Sequence, residues 1–179
     1  MKKGGKCLLF LFDKVVTITP VVCHVCTLEI ILKMIALNII NVLNMEKYNI
    51  EKDLKILYVQ AASFPYGVGE AYQKLHTILP DANTRTNYGI SHMTESGHIV
   101  YKAGVEESYP GEGAQLGCDV LTVRKGTYAS ELLLDWKKDE TVVGKTFQKL
   151  LQHPELDKKG YCLEIFQNGK DVLCLVPLV

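Results

Sequence analysis

Two short stretches of the chain, residues 69–75 (GEAYQKL) and residues 144–150 (GKTFQKL), share the pattern G-x-x-aromatic-Q-K-L. Each stretch lies in a longer segment whose apolar residues recur at helical spacing, and each segment ends before a proline, Pro80 or Pro154. Similarity at a fixed offset indicates an internal repeat. The sequence therefore predicts two related helices, at residues 67–79 and 142–152.

The same order of strands surrounds each predicted helix. A strand is predicted at residues 54–62 before the first helix, and strands at 87–93 and 97–105 follow it. The second helix follows a strand at 118–128 and precedes strands at 161–167 and 170–178, which flank an Asn168-Gly169 hairpin turn. The order β-α-β-β thus occurs twice.

This repeat predicts an α+β fold with a duplicated β-α-β-β unit and pseudo-two-fold symmetry. We expect an antiparallel sheet with the two helices on one face and a ligand cleft on the other. The second unit is longer between its first strand and its helix, at residues 129–141, where the only tryptophan, Trp136, lies. This insertion makes the two halves of the domain unequal.

Charge and composition exclude several classes of protein. The chain has 179 residues with 20 Lys+Arg and 20 Asp+Glu, and it is 22% charged and 47% hydrophobic. These values are not those of a disordered chain or of a basic nucleic-acid binder, so we expect no direct nucleic-acid binding. The zero net charge is a sum of unlike parts, because residues 1–44 hold five Lys against Asp13 and Glu29 (+3), which leaves −3 for residues 45–179.

Residues 1–44 form an apolar N-terminal segment with three possible interpretations. The apolar run of a signal peptide would be interrupted at Asp13, and a membrane span over residues 15–43 would contain Glu29 and Lys33, both costly at bilayer depth. The third interpretation, which we favour, is an extension outside the functional unit, with residues 45–179 as the folded domain. Membrane association is then not expected unless residues 15–43 span.

The six cysteines show no regular framework. A domain of this size builds a core without disulfides, so the sequence predicts a reducing, cytoplasmic location. Cys23 and Cys26 have C-x-x-C spacing, but no second ligand pair follows, and we expect neither a metal nor a cofactor.

The final hairpin assigns side chains to the two faces of the sheet. If Asn168-Gly169 is a two-residue turn, Gln167 pairs with Lys170, and Glu164 falls on the face away from the helices, among apolar side chains. Burial there would raise the pKa of its carboxyl. Such a group suits a counter-charge for a bound cation or a general acid or base, although a solvated surface glutamate is the simple alternative.

Several motifs give the chain a resemblance to a known family. Residues 88–91 (YGIS), 99–101 (IVY), 124–128 (RKGTY) and 161–166 (YCLEIF), followed by Asn168-Gly169, resemble the GyrI-like small-molecule-binding domain, which is also the effector-binding domain of multidrug-responsive transcription regulators. The resemblance implies a cleft for hydrophobic, often cationic ligands, with Glu164 as its acidic residue and Tyr128 as part of the same cleft. The larger regulators also carry a helix-turn-helix, for which residues 1–44 have no pattern, so the resemblance is to the stand-alone members.

Three functions are therefore open. The preferred one is a non-catalytic binding module whose cleft holds a hydrophobic or cationic small molecule, with Glu164 as anchor and a lining of Tyr58, Tyr128, Trp136 and Phe166. The second, implied by a few stand-alone members of the family, is a hydrolase of strained cyclopropane-containing electrophiles that uses Glu164 and a tyrosine such as Tyr128. The third is a module that binds a protein partner.

Other candidates have simpler interpretations. Trp136 could cap the core beside the helices, Tyr58 could lie at the edge of the core, and Phe166 could be partly exposed near its turn. Tyr88 and Tyr101 are expected in the core beneath the helices. The three histidines of the domain's first half have no spacing that suggests a metal site, and we expect them to be solvated: His76, His92 and His98.

Overall fold

The computed structural model describes residues 7–11, 14–18, 29–36, 45–79 and 81–179. By its internal contacts the chain divides into two compact units, residues 1–44 and residues 45–179. In the first unit, strands β1 (Cys7–Leu11) and β2 (Lys14–Ile18) pair antiparallel, and residues 29–36 form an exposed helix, α1. Cys23 and Cys26 lie outside the described residues. Within the described ranges, every helix is too short or too polar to cross a membrane.

The second unit is built on one eight-stranded antiparallel sheet. Its strands are β3 (Glu46–Ile50), β4 (Leu54–Gln60), β5 (Asn87–Met93), β6 (Ile99–Glu106), β7 (Asp119–Val123), β8 (Gly126–Leu133), β9 (Cys162–Gln167) and β10 (Asp171–Pro177). The helices are α2 (Val68–Ile78), the short α3 (Glu112–Leu116) and α4 (Thr141–Leu150), with 3-10 turns at Ala82–Thr84 and Trp136–Lys138.

The order of strands in the sheet is symmetric. It runs β3-β8-β10-β9-β5-β6-β4-β7, so the units β4-α2-β5-β6 and β8-α4-β9-β10 form the two halves and meet at β5 and β9. The α+β fold with pseudo-two-fold symmetry is therefore confirmed.

The outer strands interlock the two halves. Strand β3 precedes β4 in the chain but pairs with β8, and β7 precedes β8 but pairs with β4. Each half thus contributes its leading strand to the other half, and neither half has its full set of backbone hydrogen bonds without its partner.

Both long helices pack on the same face of the sheet. Helix α2 buries Ala71 and Leu75, and α4 buries Thr146 and Leu150 at the equivalent positions of the repeat, as the four-residue spacing of a helical face requires. Beneath α2 lie residues of β4 and β6, including Leu57. Beneath α4 lie residues of β8 and β10: Ala129, Leu133, Val172, Cys174 and Val176.

The opposite face of the sheet is filled by a second core. Ile50 from the first strand in the sheet order and Val123 from the last belong to one cluster with Ile90 and Leu163 at the centre. No residue of a described helix belongs to this cluster, yet Ile50 and Val123 at the two edges are 7% and 2% exposed. Edge side chains are buried without a covering helix only if the sheet curls around them. The helix-free face is therefore closed by the sheet itself.

The register of the last hairpin differs from the sequence prediction by one residue. Gln167 pairs with Asp171 and Glu164 with Cys174, because Lys170 stays in the loop, where its carbonyl accepts a hydrogen bond from the Trp136 N–H at 3.2 Å. A register shift of one residue changes which side chains of the two strands share a face of the sheet. Glu164 therefore lies on the face that carries the helices, together with Cys174, and the expectation that it faces away from them was wrong.

We expect the two helices to contribute equally to stability. Leu75 and Leu150 occupy equivalent positions and are both 0% exposed, so truncation of either to alanine should lower the free energy of unfolding by about 2–5 kcal/mol. Urea denaturation measures this, with the exposed repeat partners Gln73→Ala and Gln148→Ala as matched controls that should change it by about 0.5 kcal/mol or less. A loss at only one leucine would contradict the equivalence of the two halves.

Candidate functional site

A cleft of about 1280 Å³ opens between α2 and α4, above the central strands β5 and β9. Its walls come from equivalent positions of the two helices, Gly69 and Tyr72 on one side and Gly144 and Phe147 on the other. The cleft thus lies on the face with the helices, and the expectation of a cleft on the opposite face was wrong because that face is closed by its own core. Residues of the floor are Ser91, Tyr101, Cys162, Glu164 and Phe166.

The polar groups of the floor have room because one residue of β5, Gly89, has no side chain. Gly89 pairs directly with Glu164 across the centre of the sheet. A Cβ atom at Gly89 would overlap the Tyr101 hydroxyl and approach Oε2 of Glu164 to 2.7 Å. Glycine at this position therefore leaves the space in which the tyrosine and the carboxylate meet.

Glu164 is the acidic group at the centre of this floor. The Tyr101 hydroxyl donates a hydrogen bond to its Oε2 at 2.8 Å. Burial raises the pKa of the Glu164 carboxyl from 4.5 to about 7, and the hydrogen bond from Tyr101 opposes that shift. In the described part of the chain, no basic side chain forms an ion pair with Glu164. Near neutral pH this carboxyl is thus partly ionised.

A second tyrosine continues the polar contacts. The Tyr72 hydroxyl donates to the backbone carbonyl of Tyr88 at 2.9 Å, and its oxygen lies 3.3 Å from the oxygen of Tyr101. Burial raises the pKa of both hydroxyls, and the Glu164 charge raises them further. Both hydroxyls therefore keep their protons near neutral pH.

Aromatic rings surround these polar groups. The Phe64 ring stacks on Tyr101 with a centroid distance of 5.7 Å, and the Phe166 ring lies 5.9 Å from Tyr72 and 5.6 Å from Trp136. The indole N–H of Trp136 is buried without a hydrogen-bond acceptor among the described residues. The cleft is therefore mostly apolar, with the Glu164 carboxylate and the hydroxyls of Ser91 and Tyr101 at its floor and the Tyr72 hydroxyl on its wall.

Three of the five residues singled out by the sequence come together here. Glu164, Phe166 and Trp136 all line the cleft. Tyr58 and Tyr128 lie on the opposite face instead, because both belong to strand positions that point away from the helices. The Tyr58 ring packs against Lys102, whose Nζ lies 4.6 Å from its centroid, and the Tyr128 hydroxyl donates to the carbonyl of Arg124 at 2.8 Å.

Tyr101 and Tyr72 are site residues that the sequence analysis missed. Tyr101 was expected beneath the helices, where it lies, but its hydroxyl reaches the cleft and not only the core. Tyr72 was counted only as part of the apolar face of its helix, and the one signal for it was the contrast with Phe147 at the same position of the repeat. Phe64 lies in a loop, and no pattern indicated it.

The described residues hold no group of three or more His, Cys, Asp or Glu side chains close enough to bind a metal ion. Two of the histidines make local contacts instead: a ring nitrogen of His76 lies 3.2 Å from Oδ1 of Asn87, and one of His98 lies 3.0 Å from the Ser96 hydroxyl. The chemistry that this site offers is therefore that of a carboxylate and hydroxyls in an apolar cleft.

No protein-family model matches the sequence, and a search of the curated proteins finds no match. Among solved structures, SAV2435 bound to tetraphenylphosphonium is 12% identical, with a TM-score of 0.58 over 76% of this chain and 94% of that chain. A protein of Staphylococcus aureus MU50, named for bacterial transcription regulation, is 12% identical with a TM-score of 0.50 over 75% of this chain and 97% of that one. A hydrolase from Listeria innocua is 10% identical with a TM-score of 0.52 over 75% and 90% of the two chains. At these identities the likeness shows a shared fold.

The raised pKa of Glu164 makes stability depend on pH. The folded protein holds the carboxyl proton of Glu164 more tightly than the unfolded chain does. The stabilisation that this bound proton gives the folded state is therefore complete below about pH 4.5 and is lost as the pH rises through about 7. Glu164→Gln keeps the acceptor for Tyr101 but cannot ionise. We expect it to match the wild type near pH 4.5 and to be more stable near pH 8.5, by on the order of 3 kcal/mol.

Urea denaturation at the two pH values measures this difference. The exposed Glu95→Gln, on the turn between β5 and β6, is the control and should leave the pH dependence unchanged. A Glu164→Gln variant that tracked the wild type at both pH values would show that the carboxyl is solvated.

Proposed function

We propose that residues 45–179 form a small-molecule-binding domain for bulky lipophilic cations, with Glu164 as the counter-charge. The observation that carries this proposal is a carboxylate, paired with none of the basic side chains that the structure describes, at the floor of an aromatic cleft. The general role of a small-molecule-binding domain is also what the structural neighbours suggest, since one of them is bound to tetraphenylphosphonium. The preference for cations is argued from the residues of this chain.

The electrostatic argument concerns the cost of burying the Glu164 charge. An ionised carboxyl in an apolar site loses hydration, and a cation at contact distance offsets that loss through an interaction that the low local dielectric strengthens. The rings of Tyr101, Tyr72 and Phe166 lie around the carboxyl, and aromatic faces attract cations further. A delocalised lipophilic cation fits best, because it is itself weakly hydrated.

The shape of the cleft favours a bulky ligand. Its volume of about 1280 Å³ is above the range of about 300–1,000 Å³ typical of small-molecule sites. Gly69 and Gly144 widen it from both helices, and a Cβ atom at either position would meet no atom within 4 Å. A ligand with several rings would therefore fill the cleft better than a small amine.

The binding of a lipophilic cation should follow the ionisation of Glu164. Methyltriphenylphosphonium should bind about tenfold more tightly at pH 8 than at pH 6, because the ionised fraction of a carboxyl with a pKa of about 7 rises about tenfold over that range. The neutral triphenylphosphine oxide, of similar shape, should bind with little dependence on pH. Isothermal titration calorimetry measures both affinities.

Two variants separate charge from shape in this experiment. Glu164→Gln should weaken the cation and remove its pH dependence while leaving the neutral compound nearly unchanged. Gly144→Leu should weaken both compounds, because its side chain would extend into the open cleft, while a helix tolerates leucine better than glycine. Equal affinity of wild type and Glu164→Gln for the cation at pH 8 would contradict the proposal.

One observation favours a second function, hydrolysis of a strained electrophile. A carboxyl with a pKa of about 7 suits a general base, and the Tyr101 hydroxyl lies 2.8 Å from it in the same cleft. Glu164 would take a proton from water while the water oxygen attacks an electrophilic carbon; the ring bond at that carbon breaks, and its electron pair takes up a proton, so that water is added overall. The tyrosine that could assist is Tyr101 and not Tyr128. The fold is shared with a hydrolase, which supports testing this role.

Product analysis decides between binding and hydrolysis. Incubation with a lipophilic cyclopropane-containing electrophile should give a water-addition product if the protein is a hydrolase, and Glu164→Gln should abolish the product while the substrate still binds. Formation of product by Glu164→Gln at the wild-type rate would rule out this role for Glu164. The location in the cytoplasm and the binding of a protein partner stay predictions of the sequence.

A further inference from the structure

The hydroxyls of Tyr72 and Tyr101 cannot both hydrogen-bond to each other and keep their other contacts when Glu164 is ionised. Each hydroxyl has one proton. The proton of Tyr101 points to Glu164 and the proton of Tyr72 points to the Tyr88 carbonyl. The two hydroxyl oxygens, 3.3 Å apart, then face each other with no proton between them.

Protonation of Glu164 changes this arrangement. The neutral carboxyl can donate its own proton to the Tyr101 oxygen, and Tyr101 can rotate its hydroxyl to donate to Tyr72, which continues to donate to the Tyr88 carbonyl. Each of the three contacts, Glu164 to Tyr101, Tyr101 to Tyr72 and Tyr72 to the Tyr88 carbonyl, is then a hydrogen bond with one proton. When the carboxyl donates to Tyr101, the Tyr101 proton needs another acceptor, and the Tyr72 oxygen supplies it. Because a buried donor without an acceptor is costly, Tyr72 favours the neutral carboxyl.

The geometry points to Tyr72 as a positioning residue that sets the charge state of Glu164. Its oxygen accepts the Tyr101 proton when Glu164 is neutral and is not used by Tyr101 when Glu164 is ionised. This inference rests on the proposed function for its consequence, which is that Tyr72 limits the binding of cations below neutral pH. Tyr72 acts through Tyr101 and makes no hydrogen bond with Glu164 itself.

The position of Tyr72 on its helix supports this role. Two contacts hold the Tyr72 ring in place: the hydrogen bond from its hydroxyl to the Tyr88 carbonyl and its edge-to-face contact with Phe166. The equivalent residue of the other half, Phe147, also lines the cleft but has no hydroxyl. The chain of hydroxyls is therefore present on one side of the cleft only.

Few other titratable groups act on Glu164. The side chains that sense its charge most are Tyr72 on α2, Tyr101 on β6, Cys162 on β9 and Cys174 on β10, and burial raises the pKa of both thiols, so they stay neutral. On the same face, Glu131 of β8 pairs with Cys174 in the sheet and forms an ion pair with Lys149 of α4. Other titratable residues of the cleft lining are His76, His92, Lys137, Glu140, Asp157 and Lys158.

The experiment is a titration of Glu164 in the ligand-free full-length chain, followed by NMR of the 13C-labelled glutamate carboxyl and assigned with Glu164→Gln. Tyr72→Phe should lower its pKa by about half to one unit, since a net hydrogen bond is worth about 1 kcal/mol. Tyr101→Phe should raise it, because the ionised carboxyl loses its donor. If the substitutions merely loosened the packing, water would enter and lower the pKa of Glu164 in both variants. A fall in Tyr72→Phe with a rise in Tyr101→Phe therefore separates the loss of hydrogen bonds from loosened packing.

The double variant tests whether Tyr72 acts through Tyr101. In the Tyr101→Phe background, Tyr72→Phe should leave the titration of Glu164 unchanged, because the route between them is gone. An equal fall in both backgrounds, or no fall in either, would overturn the inference. Thermal denaturation checks that all variants are folded.

Ligand binding then separates this inference from the proposed function. At pH 6, Tyr72→Phe should bind methyltriphenylphosphonium about three- to fivefold more tightly than the wild type, in proportion to the larger ionised fraction. If the cation does not bind at all while the titrations behave as expected, the proposed function is wrong and the role of Tyr72 in setting the charge state stands. If the cation binds with the expected pH dependence but Tyr72→Phe does not change it, the role of Tyr72 is wrong.

Discussion

The pairing of β5 with β9 is the constraint on which the domain and its cleft depend. It joins the two β-α-β-β halves at the centre of the sheet and sets Gly89 opposite Glu164. Because the sheet curls toward its helix-free face, the helix-bearing face is convex at this seam, and α2 and α4, each packed over its own half, leave the central strands uncovered. The exchanged strands β3 and β7 also join the halves, at the two edges of the sheet.

The symmetry of the fold is broken where the chemistry lies. The two-fold relation of the hairpins matches Glu164 with Ser91 and Tyr101 with Cys174, and that of the helices matches Tyr72 with Phe147. One half thus supplies Phe147 to the wall of the cleft, and the other supplies the two tyrosine hydroxyls nearest the Glu164 carboxyl. A ligand with one charge and a broad apolar body has one preferred orientation in such a cleft, although the backbone around it is nearly symmetric.

The fold was predictable because it depends on periodic patterns. The helices that contain Gly69 and Gly144 and the hairpins that follow them repeat in the sequence. Because each element buries one face, its apolar residues recur at a spacing that identifies it as a helix or a strand. The site was only partly predictable, because the face of Glu164 depended on the length of the last hairpin loop, which holds Asn168, Gly169 and Lys170 and not two residues alone. Sequence periodicity does not fix a loop length to one residue. Tyr58 and Tyr128 were misplaced for a related reason: the curl of the sheet closes their face, and curl is a property of all eight strands together.

The ionisation of Glu164 links stability and binding. The charged carboxyl costs folding free energy because it is desolvated, and the proposed cation would remove that same cost on binding. An ion pair in an apolar site stabilises only when its geometry is good. Here Tyr101 already orients the carboxylate, and Gly89 leaves the room for that contact, so the proposed cation would meet a carboxylate that is already positioned. In the proposed function, selectivity by charge would come from Glu164 and its hydrogen bond to Tyr101, while the aromatic walls would accept many shapes.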